Sequence, residues 1–197
     1  MTLFEFDNAV RESYPVVAGV DEAGRGPLAG DVFAAAVILP PDCVIEGVND
    51  SKKLTAKKRE LLFDEIILKA EAYCISTASV EEIERLNILN AAMLAMKRAI
   101  EGLGADYDIA LIDGNKTPDV KGEVRAIVKG DASSQSIAAA SVLAKVARDR
   151  YMQKLDETYP EYLFAKHKGY GTRQHYEMLR KYGPSPVHRP SFLKKMH

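Results

Sequence analysis

The chain has 197 residues, 47% of them hydrophobic and 28% charged, and its formal net charge is −1. This length and composition are typical of a soluble globular protein of one domain, and no apolar run reaches the ~18 residues that a membrane-spanning helix requires. The two cysteines, Cys43 and Cys74, have no CxxC spacing, and the N-terminus shows no signal-peptide pattern. We therefore exclude a membrane-spanning protein and expect a reduced, cytoplasmic one.

The charge is unevenly distributed along the chain. Residues 163–197, here called the basic tail, contain eight Lys or Arg residues and one acidic residue, Glu177. The remaining residues comprise 19 basic and 27 acidic ones, a net charge of −8. Such an asymmetry indicates a polyanionic partner, although a solvated basic face without any partner has the same pattern.

The first half of the chain predicts strands and helices in alternation. Apolar runs predict strands over 16–20 and 32–39, and the short glycine-rich turn between them favours an antiparallel pair. Apolar residues at helical spacing predict a helix over 56–69, and a third strand is expected over 72–78.

The second half continues this alternation. Ser79, with a glutamate three residues later, is a capping-box signature that begins a helical run through Ile100. Strands are predicted over 109–112 and 123–128, and a long helix over 133–155, with Ser133 and Ser134 as its capping residues. Strands and helices in this order predict an α/β domain with a mixed sheet.

Four acidic residues lie at the ends of predicted strands, each beside glycine or one residue from it: Asp21, Glu22, Asp113 and Asp131. Because ligands of α/β folds bind at strand ends, we expect these carboxylates to converge there and to hold two divalent cations. Mg²⁺ and Mn²⁺ prefer such oxygen ligands. Asp-Gly is also a common turn, and Asp113 taken alone is interpreted as a turn residue.

Two glycine-flanked residues are candidates for substrate binding. Gly24, Arg25 and Gly26 follow the first acids directly, and glycines let backbone N–H groups approach a ligand closely. Tyr170 lies between two glycines of the basic tail, where an aromatic ring can stack on a sugar or a base. A tyrosine that packs its own turn explains the second pattern equally well.

A lysine pair precedes the helix predicted over 56–69. Lys52 and Lys53 lie where they can reach a phosphate, whereas the basic residues from Lys57 onward are interpreted as a solvated helix start. The histidines lack zinc-ligand spacing, and no Walker A motif is present, which argues against nucleotide hydrolysis of that type.

Six segments that follow one another along the chain resemble the bacterial ribonuclease HII family. The similarity runs in order from Val16 to Phe192, nearly the whole chain. The segments that carry it are Asp21 to Gly26, Asp50-Ser51-Lys52-Lys53-Leu54, Ile112-Asp113-Gly114, Lys129-Gly130-Asp131, Ile137 to Ser141, and His167 to Thr172.

The resemblance implies a ribonuclease H-like fold, a five-stranded mixed sheet flanked by helices with a helical C-terminal segment. Residues 1–197 would form one catalytic domain, with a basic substrate-binding segment at about 158–197. It implies an endonuclease that cuts RNA in RNA–DNA hybrids and incises 5′ of single ribonucleotides embedded in duplex DNA. Mg²⁺ or Mn²⁺ would be the cofactor, and the products would carry 3′-hydroxyl and 5′-phosphate ends.

The family's roles carry over to matching positions of this sequence. Asp21, Glu22, Asp113 and Asp131 match its metal-binding acids. Gly24, Arg25 and Gly26 match the loop that contacts the 2′-hydroxyl at the ribonucleotide–deoxyribonucleotide junction. Tyr170 matches the tyrosine that stacks on the following deoxyribose.

Three features refine the comparison. Type-three enzymes favour Gly-Lys-Gly after the first acids and carry an extra N-terminal domain, whereas this chain has Arg25 and only a short segment before its first strand. Pro190 stands where a second arginine is more usual, so a DNA-backbone contact there does not carry over. No clamp-binding motif is evident after Phe192, and we expect a monomer.

Other functions remain open on the residues alone. A junction resolvase or transposase core would use similar acids but cut DNA without a 2′-hydroxyl. A non-catalytic nucleic-acid-binding module would bind hybrids without turnover, although bare carboxylates repel phosphate. A phosphatase of small substrates explains no basic tail.

Overall fold

The computed structural model describes residues 1–194, and five strands form one mixed sheet in the order β3-β2-β1-β4-β5. The pairs β1–β2 and β2–β3 are antiparallel, whereas β1–β4 and β4–β5 are parallel. The predicted α/β class and ribonuclease H-like fold are therefore confirmed. The strands are β1 (Val17–Ala23), β2 (Val32–Ile38), β3 (Ala72–Ala78), β4 (Ile109–Asp113) and β5 (Glu123–Ile127).

Helices cover both faces of the sheet. Helices α3 and α4 pack on one face, and α1, α2 and α5 pack on the other, so that the central strands β1, β2 and β4 bury residues on both sides. The alanines of β2 show this alternation, since Ala34 and Ala36 lie in one core and Ala35 lies in the other. The helices are α1 (Leu3–Arg11), α2 (Ala56–Lys69), α3 (Val80–Leu86), α4 (Ile88–Glu101), α5 (Gln135–Thr158), α6 (Phe164–His167), α7 (Arg173–Tyr182) and α8 (Pro190–Leu193).

The approach of α5 to β1 is unusually close because small residues meet there. A Cβ atom on Gly19 of β1 would overlap the backbone of Ser136 at the start of α5. The alanines 138–140 that follow are fully buried against the sheet. This packing brings the turn before α5, which contains Asp131, to the edge where β1 carries its acids.

Several predicted boundaries shift. The first strand was expected to end at residue 20, but β1 continues through Ala23, and Asp21 and Glu22 pair with Ala35 and Ala34 of β2. These acids therefore lie inside a strand, since antiparallel pairing with β2 outlasts the apolar run. Asp113 is the last residue of β4, and the helical run after Ser79 is split at Asn87, whose φ is 68°.

The structure has a helix near its N-terminus that was not predicted, and it confirms the predicted helices of the C-terminal segment. Helix α1 was not predicted, and its Phe6 and Val10 pack against the buried cluster around Ile137. The helical C-terminal segment is confirmed by α6, α7 and α8. A small core around Phe164 and Leu179 joins this segment to Met152 of α5 and to Leu28 and Ala29. Within residues 1–194, none of the helices combines the length and apolarity that crossing a bilayer requires.

Candidate active site

Three carboxylates meet at one edge of the sheet. Asp21 is on β1, Asp113 ends the neighbouring parallel strand β4, and Asp131 lies in a 3₁₀ turn over Gly130–Ala132 after β5. One oxygen from each of the three lies within 4.8 Å of the others. Because strands β1 and β4 are parallel, their carboxyl ends share this edge, which is why acids far apart in sequence converge.

Asp21 is the most enclosed member of the cluster, only 5% exposed. One of its oxygens accepts a hydrogen bond of 2.7 Å from the backbone N–H of Glu22. Burial, followed by repulsion from Glu22 and Asp113, raises the pKa of Asp21 well above its ordinary value, although the Ser141 hydroxyl partly opposes this. Among residues 1–194, no lysine or arginine nitrogen lies within 4.0 Å of the Asp21 carboxylate.

The backbone of the 3₁₀ turn orients the other two acids. An oxygen of Asp113 accepts hydrogen bonds from the N–H groups of Gly130 (2.7 Å) and Asp131 (3.3 Å). Lys129 adopts a left-handed conformation with φ of 57°, which turns the chain so that both N–H groups face β4. Burial and the charge of Asp113 raise the pKa of Asp131.

Glu22 borders the cluster without being one of the three closest carboxylates. Its oxygen lies 3.5 Å from a guanidinium nitrogen of Arg25, whose side chain is half exposed. Burial raises the pKa of Glu22, the Arg25 charge opposes this effect, and Asp113 adds to it. The structure thus brings three of the four predicted acids into contact distance and places the fourth beside them.

This arrangement fits a divalent cation. The donors are carboxylate oxygens only, which are the ligands that Mg²⁺ and Mn²⁺ prefer. The raised pKa values of Asp21 and Asp131 show that the crowded carboxylates resist ionising together, and a bound cation would remove that penalty. The residues that would hold it are Asp21, Glu22, Asp113 and Asp131.

Lys52 lies at the rim of this site, in the short 3₁₀ helix Ser51–Lys53. Burial lowers its pKa, but Asp21 and other nearby carboxylates outweigh that effect, so the pKa of Lys52 is raised. The side chain of Arg59 holds this segment by donating to the carbonyls of Ser51 (2.9 Å) and Leu54 (2.6 Å). Because of the nearby carboxylates, Lys52 keeps its positive charge, and it lines the same pocket as Asp21 and Glu22.

The glycine-rich loop and Tyr170 share a pocket with Asp21 and Glu22. The pocket measures about 470 Å³, and Gly24, Arg25, Gly26 and Lys52 line it together with Tyr170. The ring of Tyr170 is 42% exposed and faces Gly26, where an added Cβ would lie 3.7 Å from it. The structure therefore collects every predicted substrate-binding residue beside the acidic cluster.

Other residues of the pocket were not predicted as site residues: Ser51, Ile88, Ser141, Lys145 and Phe192. Ser141 donates a buried hydrogen bond of 2.9 Å to the hydroxyl of Ser51. The small residues of the Ile137–Ser141 segment were the available signal, since they allow α5 to approach the acids. A larger hollow of about 780 Å³, around Tyr107 and Lys121, lies at the opposite end of β4, away from the three acids.

Pro190 fits its place in the structure. It is the first residue of α8, where the absence of a backbone N–H costs no helical hydrogen bond, and it is exposed. The next residue, Ser191, anchors α8 to α3 through two hydrogen bonds to the Glu84 carboxylate, 3.0 and 2.7 Å long.

A mixed five-stranded sheet with carboxylates gathered at the ends of β1 and β4 defines a nuclease of the ribonuclease H-like class. The ribonuclease HII family profile matches residues 18–195. The chain belongs to the ribonuclease HII family, whose members are endoribonucleases that cleave the RNA of RNA–DNA hybrids with the help of divalent metal ions.

Named relatives are similar over nearly their whole length. Ribonuclease HII of Caldicellulosiruptor bescii is 55% identical over 96% of this chain and 92% of its own. Ribonuclease HII 1 of Methylibium petroleiphilum is 61% identical over 90% of this chain and 89% of its own. The crystal structure of ribonuclease H2 from Pyrococcus horikoshii superposes with a TM-score of 0.74 at 29% identity, covering 89% of this chain and 93% of that one.

Proposed function

We propose that the protein hydrolyses the RNA strand of RNA–DNA hybrids and also incises 5′ of single ribonucleotides in duplex DNA, leaving 3′-hydroxyl and 5′-phosphate ends. The observation that carries this proposal is the shared pocket, which is lined by Asp21 and Glu22, by the 24–26 loop and by Tyr170. Asp113 and Asp131 lie next to Asp21 in the acidic cluster. The pocket joins groups suited to phosphodiester hydrolysis with groups suited to a ribose.

The four acids would hold two divalent ions, Mg²⁺ or Mn²⁺. Two such ions, when bound, supply an activated water and stabilise the leaving oxygen of the phosphodiester. The chain's contribution is to hold the carboxylates in place: β1 and β4 fix Asp21 and Asp113, and the turn N–H groups fix Asp113 relative to Asp131. Lys52, whose positive charge is stabilised, would bind a substrate phosphate.

Selection of RNA would come from the loop and from Tyr170. Backbone groups of Gly24, Arg25 and Gly26 line the pocket, and a 2′-hydroxyl is the group that distinguishes RNA from DNA at one position. The half-exposed ring of Tyr170 offers a stacking surface for the neighbouring sugar. The exposed lysines and arginines of the basic tail would bind the backbone of the duplex, so affinity should fall as salt rises.

The proposal extends to the domain organisation, the oligomeric state and the location of the protein. Residues 1–197 would act as one catalytic domain, with the segment at about 158–197 binding the substrate, and as a monomer. The unpaired thiols of Cys43 and Cys74 support a reducing compartment such as the cytoplasm.

A labelled duplex with one ribonucleotide, incubated with Mn²⁺ or with EDTA, tests the proposal. We expect a single cut 5′ of the ribonucleotide that EDTA abolishes and that an all-DNA duplex of the same sequence does not show. Cutting of the all-DNA duplex would instead support a junction resolvase-like nuclease, and metal-independent binding without turnover would support a binding module.

A further inference from the structure

Arg189 is a fully buried arginine that contacts the loop after β1, residues 24–30, here called the 24–30 loop. Its guanidinium makes five hydrogen bonds, all to backbone carbonyls of that loop. They run to Gly24 (2.7 Å), Arg25 (3.1 Å), Pro27 (2.9 Å) and twice to Gly30 (2.8 and 2.6 Å). A guanidinium has five N–H donors, so every donor of the Arg189 side chain binds a carbonyl oxygen of this one loop.

Arg148, on α5, links the same loop to the segment that carries Tyr170. It donates to the carbonyls of Ala29 (3.1 Å) and Asp31 (3.3 Å) on one side and of Lys168 (3.1 Å) on the other. Its guanidinium carbon also lies 5.9 Å from the centre of the Tyr170 ring. One side chain therefore touches both elements of the proposed ribose site.

Backbone hydrogen bonds complete the connection. Leu28 donates to the carbonyl of Gly169, and Arg189 donates from its own N–H to the carbonyl of Leu28, both at 2.8 Å. Gly30 donates to the carbonyl of Val187, also at 2.8 Å. The loop is thus held between the Tyr170 segment and the segment that bears Arg189.

Keeping two guanidinium groups buried here is costly. Within residues 1–194, no carboxylate lies within 4.0 Å of either group. Burial, and then the charge of Arg148, lowers the pKa of Arg189 to about 9. A lysine has three donors on one atom and cannot reach carbonyls spread along a loop, which is what the planar fork of arginine allows.

We propose that Arg189, together with Arg148, is a positioning residue for ribonucleotide recognition. It holds the 24–30 loop at a set distance from Tyr170, so that a 2′-hydroxyl and the following sugar are contacted at once. A lone ribonucleotide offers one 2′-hydroxyl and hence one productive register, whereas a continuous hybrid offers a 2′-hydroxyl at every step. Loosening the loop should therefore impair cleavage at the lone ribonucleotide more. The inference rests on the proposed function.

The test compares Arg189→Lys with wild type on two duplexes, one with a single ribonucleotide and one a continuous hybrid. kcat and KM are measured on each, and Mn²⁺ binding is measured by calorimetry without substrate. Leu62→Ala is the matched control, since Leu62 of α2 is fully buried in a different core, to which no residue of the 24–30 loop belongs within residues 1–194. All assays run at a temperature where melting curves show each variant folded.

We expect Arg189→Lys to lower kcat/KM for the lone ribonucleotide by about 100-fold, the loss typical of a small misplacement, and to affect the continuous hybrid far less. Mn²⁺ affinity should not change, and Leu62→Ala should affect both duplexes equally. Equal losses on both duplexes for Arg189→Lys would overturn the inference.

A second variant keeps the inference testable if Arg189→Lys does not fold. Arg148→Lys leaves α5 packed on the sheet and should show the same preferential loss at the lone ribonucleotide, and an unchanged ratio between duplexes would contradict the inference. If the wild-type protein itself does not incise the lone-ribonucleotide duplex, the proposed function fails, and that result is distinguishable from a failure of the variants.

Discussion

In the acidic cluster, like charges face one another: carboxylates of Asp21, Asp113 and Asp131 lie within 4.8 Å, and burial and repulsion raise the pKa of Asp21. In the adjacent 24–30 loop, four backbone carbonyl oxygens accept five hydrogen bonds from the buried guanidinium of Arg189. The carboxylates of the first region need a bound cation to balance their charge. The guanidinium of Arg189 is hydrogen-bonded entirely by groups of the chain itself. Removing a charge should therefore have opposite effects on stability in the two regions.

Asp21→Asn should have the largest effect on activity. Cleavage of a hybrid in Mn²⁺ should fall by about 1,000-fold or more, because a central charged ligand is lost. Stability without metal should rise, measured by thermal unfolding in EDTA at pH 7. The reason is that the folded-state pKa of Asp21 is raised, so the ionised acid disfavours the fold as pH increases through that value.

The exposed Asp119, in the hollow at the far end of β4, supplies the control. Asp119→Asn should change neither activity nor melting temperature. Near-normal cleavage by Asp21→Asn would contradict the assignment of the acids.

The two glycines of the 24–26 loop should respond differently to alanine. Gly24 has φ of 99°, and a Cβ there would overlap the Arg148 side chain, so Gly24→Ala should lower the free energy of unfolding by about 1–3 kcal/mol. Gly26 has room, since its nearest neighbour would be Tyr170 at 3.7 Å. Gly26→Ala should keep wild-type stability and lose about 100-fold in cleavage, because the methyl group blocks close approach of the substrate.

Urea unfolding and kinetics on both variants separate these effects. If Gly26→Ala cleaves a lone ribonucleotide normally, the backbone of this loop does not contact the substrate closely.

Tyr170→Ala should weaken cleavage at a lone ribonucleotide by an amount equivalent to about 1–3 kcal/mol, the usual contribution of an aromatic stacking contact. Tyr170→Phe keeps the ring and serves as the control, with near-wild-type kcat/KM. Titration with Mn²⁺ should give the same midpoint for all three proteins, because the ring positions a sugar and not an ion. A shifted midpoint for Tyr170→Ala would count against this role.

The smallest effect on stability at neutral pH should come from replacing the buried histidines that support Tyr170. His175 donates from Nδ1 to the Tyr170 carbonyl (2.9 Å) and shares a 3.0 Å hydrogen bond with Nε2 of His188. The Nδ1 of His188 accepts from the N–H of Ser185 (2.9 Å). Each hydrogen bond is satisfied only if both rings are neutral, and burial lowers both pKa values to about 4.

Stability should therefore be independent of these histidines above pH 6.5 and fall as pH drops from about 6.5 to about 4, since the unfolded chain takes up protons first. The loss should reach about 2 kcal/mol per histidine at pH 5. Urea unfolding of wild type and His188→Gln across this range isolates the effect as a difference. If the imidazole NMR signals of His175 and His188 titrated near pH 6.5, these two rings would not be held neutral by the fold.

The spacing of apolar residues along the chain predicted many of the helices and strands. The bounds predicted for α2 and β3 match the structure, because apolar spacing and β-branched runs are properties of neighbouring residues. The position of the acids near the ends of β1 and β4 followed from the same signals. The end of β1 was wrong by three residues, since its extension depends on pairing with β2 and not on its own composition.

The sequence by itself determined that this is an α/β protein with four strand-end acids, a glycine-rich loop and a basic tail, because these are patterns of adjacent residues. Only the tertiary structure decided that three of the acids share one cluster, with Glu22 beside it. It also decided that Arg148 and Arg189 lie buried. The partners of Arg189 are backbone carbonyls more than 150 residues away, with no residue-type signature. Such long-range contacts exist only after the sheet, α5 and the C-terminal helices have packed together.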